Sequence, residues 1–164
     1  MENTTAAHGR HTRHGIPHDY TSLTPHLAVK PAREAIVFYQ NVFNAAVLDV
    51  TPVGDVIGHA VLKLEHGCFT LSDPLEKYGL VAPTGDGTTS VSLALYLPDV
   101  DEVIDRAIAA GAHVREALTT FVSGDRFASI IDPFGVRWAI MTRVEDLSRQ
   151  ESAERVARWA AKQT

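Results

Sequence analysis

The chain has a single cysteine, Cys68, so it can form neither an internal disulfide nor a cysteine zinc cluster. Apolar residues flank it, and a buried thiol is its plain reading. No apolar run approaches the roughly 18 residues of a membrane span, and the N-terminus lacks the apolar segment of a signal peptide. A soluble, cytoplasmic protein is expected. Positive charge is also scarce: 15 Lys and Arg stand against 20 Asp and Glu, a formal net charge of -5. With no basic run and no aromatic-basic interleaving, neither nucleic acid nor a membrane is expected as a partner. No serine sits in a nucleophile elbow, and Cys68 has no obvious base nearby. Thr84-Gly85-Asp86-Gly87-Thr88 lacks the lysine and the following helix of a phosphate loop, which leaves it a linker.

What is present is a core and a repeat. With 45% apolar residues, 164 residues can fill one compact domain or two small fused modules. Residues 124–141 read as a hairpin folded on Asp132-Pro133-Phe134-Gly135, where proline presets a turn φ and glycine supplies a positive one. In its second strand Val136, Trp138, Ile140 and Thr142 face one way, and Arg137, Ala139, Met141 and Arg143 the other. Upstream, from Leu23, the pattern predicts a strand (25–29), a helix (32–43), a strand (46–52) and a hairpin (56–71). After a Gly- and Pro-rich loop at 74–89 the order recurs, with a strand (91–97), a helix (100–110), a strand (114–120) and the hairpin just described. The chain is thus α+β, two tandem βαβββ modules at about 23–74 and 90–143 within a domain spanning 21–143.

Residues 1–20 carry His8, His11, His14 and His18 without periodic apolar anchors, and read as a disordered, solvated arm rather than a metal site. In the segment 144–164, Ser148 followed by Glu151 makes a capping box that opens a helix with Val156 and Trp159 on one stripe, an added element that packs on the body or on a second subunit. Asp99, Asp101, Glu102 and Asp105 surround the start of the second module's helix, where carboxylates favour the positive dipole end, so capping is preferred to metal binding.

Three stretches, Phe38-Tyr39-Gln40-Asn41-Val42-Phe43-Asn44-Ala45, Pro98-Asp99-Val100-Asp101 and Asp132-Pro133-Phe134-Gly135, set in the two modules, carry a resemblance. The chain resembles the vicinal oxygen chelate superfamily of glyoxalases, bleomycin-resistance proteins and extradiol dioxygenases, especially its PhnB-like branch, over about residues 23–143. The resemblance implies curved mixed sheets forming a cup, with helices outside and a ligand or metal inside. The metal positions of the family's enzymes fall on His26, Leu71, Ser92 and Ala139, of which His26 alone is a good ligand, and a divalent ion needs about three. Strand alternation from Leu71 adds Asp73, leaving a His26–Asp73 pair as the residual metal possibility.

Without a metal or other cofactor, the cup still predicts a binding face lined by His26, Phe69, Asp73, Ser92, Tyr96, Ser129, Arg137 and Met141, with Ala28, Ala94 and Ala139 leaving volume. Each has a plainer alternative. His26 can be bonded to a neighbour, Arg137 can sit in an ion pair, and Phe69 and Tyr96 can simply pack. Two functions are expected from this composition. One is a metal-independent protein capturing a small apolar or aromatic molecule, as a homodimer; the other is a metal-dependent glyoxalase-type lyase or isomerase, or a dioxygenase. A third is a fold kept for assembly alone, its cup collapsed.

Overall fold

Ala35, Ile36, Tyr39, Val42 and Phe43 recur at helical spacing and make the buried stripe of α1 (Ala32–Phe43), which ends where Asn44 turns into the left-handed region. The computed structural model describes residues 5–163, so the first residues of the expected arm and the last of the expected tail lie outside it. The chain divides into two units, residues 1–82 and 83–164.

The first unit contains a four-stranded mixed sheet in the order β3 (His26–Ala28), β6 (Cys68–Ser72), β5 (Val56–Lys63), β4 (Ala46–Val53). β3 runs parallel to β6 and the other pairs are antiparallel, the connectivity of a βαβββ module. α1 packs on one face, where Phe69 meets Tyr39 edge to face at 5.3 Å and Leu62 and Leu71 are fully buried. Burying one such side chain stabilises by roughly 1.5–3 kcal/mol. An exposed ion pair is worth roughly 0.2–1 kcal/mol, so this helix-side packing dominates the unit.

Residues 5–20 have a structure that the missing apolar periodicity did not foretell. β1 (Thr12–Arg13) and β2 (Ile16–Pro17) pair antiparallel across His14-Gly15, whose φ values of 49° and 82° suit the two-residue hairpin turn that matches strand twist. The segment is tied to the sheet by Asp19, which accepts from Lys63 Nζ at 2.5 Å, and just beyond it Thr21 stands so near Gly67 that a Cβ there would meet its Cγ2 at 3.1 Å. Local turn chemistry and a side-chain ion pair do the anchoring, so a search for periodic apolar residues misses it.

The second unit repeats the plan with β7 (Leu93–Tyr96), α2 (Val100–Ala109), β8 (His113–Thr120), β9 (Asp125–Ile131) and β10 (Arg137–Arg143), ordered β7-β10-β9-β8 in the sheet. β7 and β10 are parallel. Val100, Val103, Ile104 and Ala107 of α2 are buried, as are Ala128, Ile130, Trp138 and Ile140 of the sheet. The β9–β10 turn closes on Asp132, whose carboxylate accepts from the backbone N–H of Phe134 and Val136 and from Trp138 Nε1, each at 2.9 Å. α3 (Arg149–Ala160) opens on the expected Ser148–Glu151 capping box. Among the described residues neither sheet closes into a barrel, and no helix is long and apolar enough to cross a membrane.

Candidate functional site

On the sheet face opposite α1 the first unit sets polar side chains beside Ala28 and Val61. In the first unit the register pairs His26 with Thr70 and Ala28 with Ser72, so these four share that face. His26 Nδ1 lies 2.8 Å from Thr70 Oγ1 and Nε2 lies 3.2 Å from Ser72 Oγ. Ser72 spends its own hydrogen on the Asp73 carbonyl at 2.8 Å and therefore accepts from Nε2–H, which leaves Nδ1 bare to accept from Thr70, whose hydroxyl also lies 3.4 Å from the Pro25 carbonyl. His59 stacks beside it with ring centroids 6.1 Å apart. Burial first, and His59 second, push the His26 pKa below its ordinary value, favouring the neutral ring that this bonding describes. Cys68 is buried, and burial raises its thiol pKa, the setting of an inert packing thiol.

Phe69 and Asp73 lie elsewhere, which corrects the expected face. Phe69 is buried against Tyr39 on the helix side. The Asp73 carboxylate is buried too, accepting from the backbone N–H of Ile57 at 2.7 Å and of Ala32 at 3.2 Å. The two hairpins differ in loop length: residues 64–67 separate the paired Lys63 and Cys68, whereas the longer stretch 132–136 separates Ile131 and Arg137. One residue of offset exchanges the faces of a strand. The signal was available in β6 itself, where Phe69 and Leu71 alternate with Thr70 and Ser72.

In the second unit the expected residues do converge. Tyr96, Met141 and Phe127 form one cross-strand row, and Ala94, Ala139 and Ser129 the next. Ala94 and Tyr96 are exposed, Met141, Ala139 and Phe127 half-buried. Ser129 is buried because Arg137 lies over it, Nε donating to Ser129 Oγ at 3.2 Å while Nη2 meets Glu116 at 2.9 Å. The ion-pair alternative for Arg137 is thus the observed one. Ser92 is exposed just before β7. Sequence reasoning missed the group that tethers Tyr96: its hydroxyl donates to Asp125 at 3.3 Å, and Asp125 also holds Arg143 at 2.8 Å and Ser123 Oγ at 2.8 Å. The Tyr96 hydroxyl first, and then the Asp125 charge, raise the Arg143 pKa. Asp125 is a buried acid at the start of β9, a position that alternation assigns to a face without revealing its partners.

Residues 8–140 match the Glyoxalase/Bleomycin resistance protein/Dioxygenase superfamily. The chain belongs to this superfamily. An uncharacterised protein of Mycobacterium tuberculosis is 35% identical over 134 residues, covering 79% of this chain and 79% of that protein. A Mycobacterium bovis protein matches equally, with 88% of its length covered. Among solved structures, TioX from Micromonospora sp. ML1 superposes with a TM-score of 0.61 at 25% identity, over 75% of this chain and 98% of that one. A PhnB protein from Bacillus cereus gives 0.58 at 19% identity, over 74% and 99%. The fosfomycin resistance protein FosX from Listeria monocytogenes, in complex with Mn(II) and sulfate, gives 0.60 at 15%, over 83% and 97%. The last two share the fold.

At the positions where the resemblance sets the metal ligands, His26, Leu71, Ser92 and Ala139, the side chains do not bring three donors together. Both His26 nitrogens are engaged, Leu71 is fully buried on the helix side, Ala139 has no donor atom, and the Asp73 carboxylate is committed to two backbone N–H groups. Among the described residues no group of three or more His, Cys, Asp or Glu stands together to hold an ion. The His26–Asp73 pair is not assembled: His26 of β3 bonds Thr70 and Ser72, whereas the Asp73 carboxylate, just after β6, accepts from the backbone N–H of Ala32 and Ile57.

Proposed function

We propose that this superfamily member is a binding protein that captures a small apolar or aromatic molecule without a resident metal. The observation that carries the reading is the second unit's open sheet face, where the Tyr96, Met141 and Phe127 row adjoins small Ala94 and Ala139. Aromatic and thioether surface beside alanines suits a flat apolar ligand, because large side chains supply contact and small ones leave volume. Asp125 holds the Tyr96 hydroxyl, so little rotamer entropy is left to lose when the ring is contacted.

Ala94→Trp tests the reading by filling the space beside Ala139 while leaving the helix-facing residues untouched. Thermal shifts are compared across a library of uncharged aromatic compounds. A ligand at about 100 times its Kd adds about 2.7 kcal/mol to stability. For a chain of this length that is a rise on the order of 5–10 °C. The expected outcome is a shift in the parent that is lost in a folded Ala94→Trp protein; equal shifts in both would remove the face from consideration. Elemental analysis and native mass spectrometry are expected to find no stoichiometric divalent ion. One tightly held ion per chain, released by His26→Ala, would instead favour a glyoxalase-type enzyme. The reading also includes self-association into a homodimer.

A further inference from the structure

α3 meets the β8–β9 turn of its own unit through Trp159 and Ser152. Trp159 meets Phe121 edge to face, with ring centroids 4.9 Å apart, and Ser152 Oγ donates to the Ser123 carbonyl at 2.9 Å. Between α3 and the β8–β9 turn these contacts frame a cleft of about 470 Å³ lined by Phe121, Trp159, Glu145, Arg155, Arg158 and Lys162 among others. That volume lies within the roughly 300–1,000 Å³ range of small-molecule sites.

The charges on the cleft are unequal. Arg155 is matched by Glu145 at 2.8 Å, but Arg158 stands 4.0 Å from Glu154, at the limit of an ion pair. Lys162 has no ion pair among the described residues, and Trp159 is 41% exposed with its indole N–H in no hydrogen bond among them. An apolar aromatic floor, a free indole donor and surplus cationic charge at one end select a flat molecule with one anionic end. We propose that this cleft binds a small aromatic carboxylate, separately from the sheet face described above.

The test uses the full chain labelled with nitrogen-15 and titrated with 1-naphthoate or its neutral counterpart 1-naphthamide. Two indole cross-peaks are present, and Trp159→Phe identifies one by its loss. The expected result is a saturable shift of the Trp159 peak with Trp138 unmoved, and binding of the carboxylate about tenfold tighter than the amide, the loss expected of one charge-assisted contact. Lys162→Glu and, separately, Arg158→Glu are expected to weaken naphthoate about tenfold, and either variant alone suffices if the other disturbs α3. An unmoved Trp159 peak at millimolar naphthoate, equal affinity for acid and amide, or equal affinity in a folded charge-reversed variant would overturn the proposal. Loss of the Ala94→Trp effect would leave it intact, since the two sites share no residue.

Discussion

His26 holds its ring nitrogens between Thr70 and Ser72, which fixes the direction of its response to acid. Its folded-state pKa lies below the ordinary value of about 6.5. Between those two values the unfolded chain binds more protons than the folded one, so stability rises with pH across that window. The contribution is fully present above about 6.5 and is lost as pH falls through the folded pKa. In His26→Asn, urea midpoints measured from pH 7.5 to pH 5 are therefore expected to fall less steeply than in the parent. Histidines distant from His26 are common to both proteins and cancel in the comparison; an equal or steeper slope in the variant would contradict the assignment. Other residues show how far local alternation reaches. It placed Tyr96, Ala94, Ala139 and Met141 on one face, because β7 and β10 pair in the register that their apolar pattern suggests. It misplaced Phe69 and Asp73 relative to His26, since the β3–β6 register is a long-range pairing and the two hairpin loops differ in length.

At the scale of elements, each unit's helix begins on an acceptor supplied by or just after its last strand. Pro31, at the start of α1, offers no side-chain cap, and Asp73 after β6 accepts from Ala32 N–H instead. In the second unit Thr142 of β10 accepts from Val100 N–H at 2.8 Å, beside the local Asp99 cap that sequence reasoning had foreseen. The strand that pairs with β3 or β7 thereby fixes the entry of α1 or α2. Asp73→Ala leaves the N–H groups of Ala32 and Ile57 without this acceptor, at about 1–3 kcal/mol for each buried one, so a loss of about 2–6 kcal/mol in denaturant unfolding is expected. Thr142→Val is expected to cost about 1–3 kcal/mol, because the hydroxyl's bond from Val100 N–H and its own bond to the Leu97 carbonyl are both lost. Equal stability of Asp73→Ala and the parent would show that α1 does not depend on this acceptor. The helices themselves were legible, since periodicity, the Asp99 cap and the Ser148–Glu151 box are local signals. The β1–β2 hairpin carried its own local signal in His14-Gly15, but its strands are too short for alternation to register.

At the scale of the whole molecule, the outer strands decide what a second copy would meet. β4 is an edge of the first unit's sheet, eight residues long, with Leu48 and Val50 exposed at 46% and 38%. β8 is an edge of the second unit's sheet, of the same length, with Val114 exposed at 44%. Long edges with apolar side chains are templates for pairing with another chain unless charge, proline or a covering element blunts them. β4 has Pro52 near one end and both strands have register shifts, yet the middle of β4 carries alternating exposed apolar residues. Burying such surface twice in a symmetric contact is the commonest route to a closed oligomer. Sedimentation at micromolar concentration is therefore expected to give twice the chain mass of 17.8 kDa. Val50→Lys and Val114→Lys place a charge on one edge each, and the edge used by the dimer is expected to weaken about tenfold or more, since an unpaired charge buried in the contact costs at least about 1.4 kcal/mol. A monomer at every concentration up to tens of micromolar would refute self-association, and a dimer indifferent to both substitutions would move the contact away from these strands.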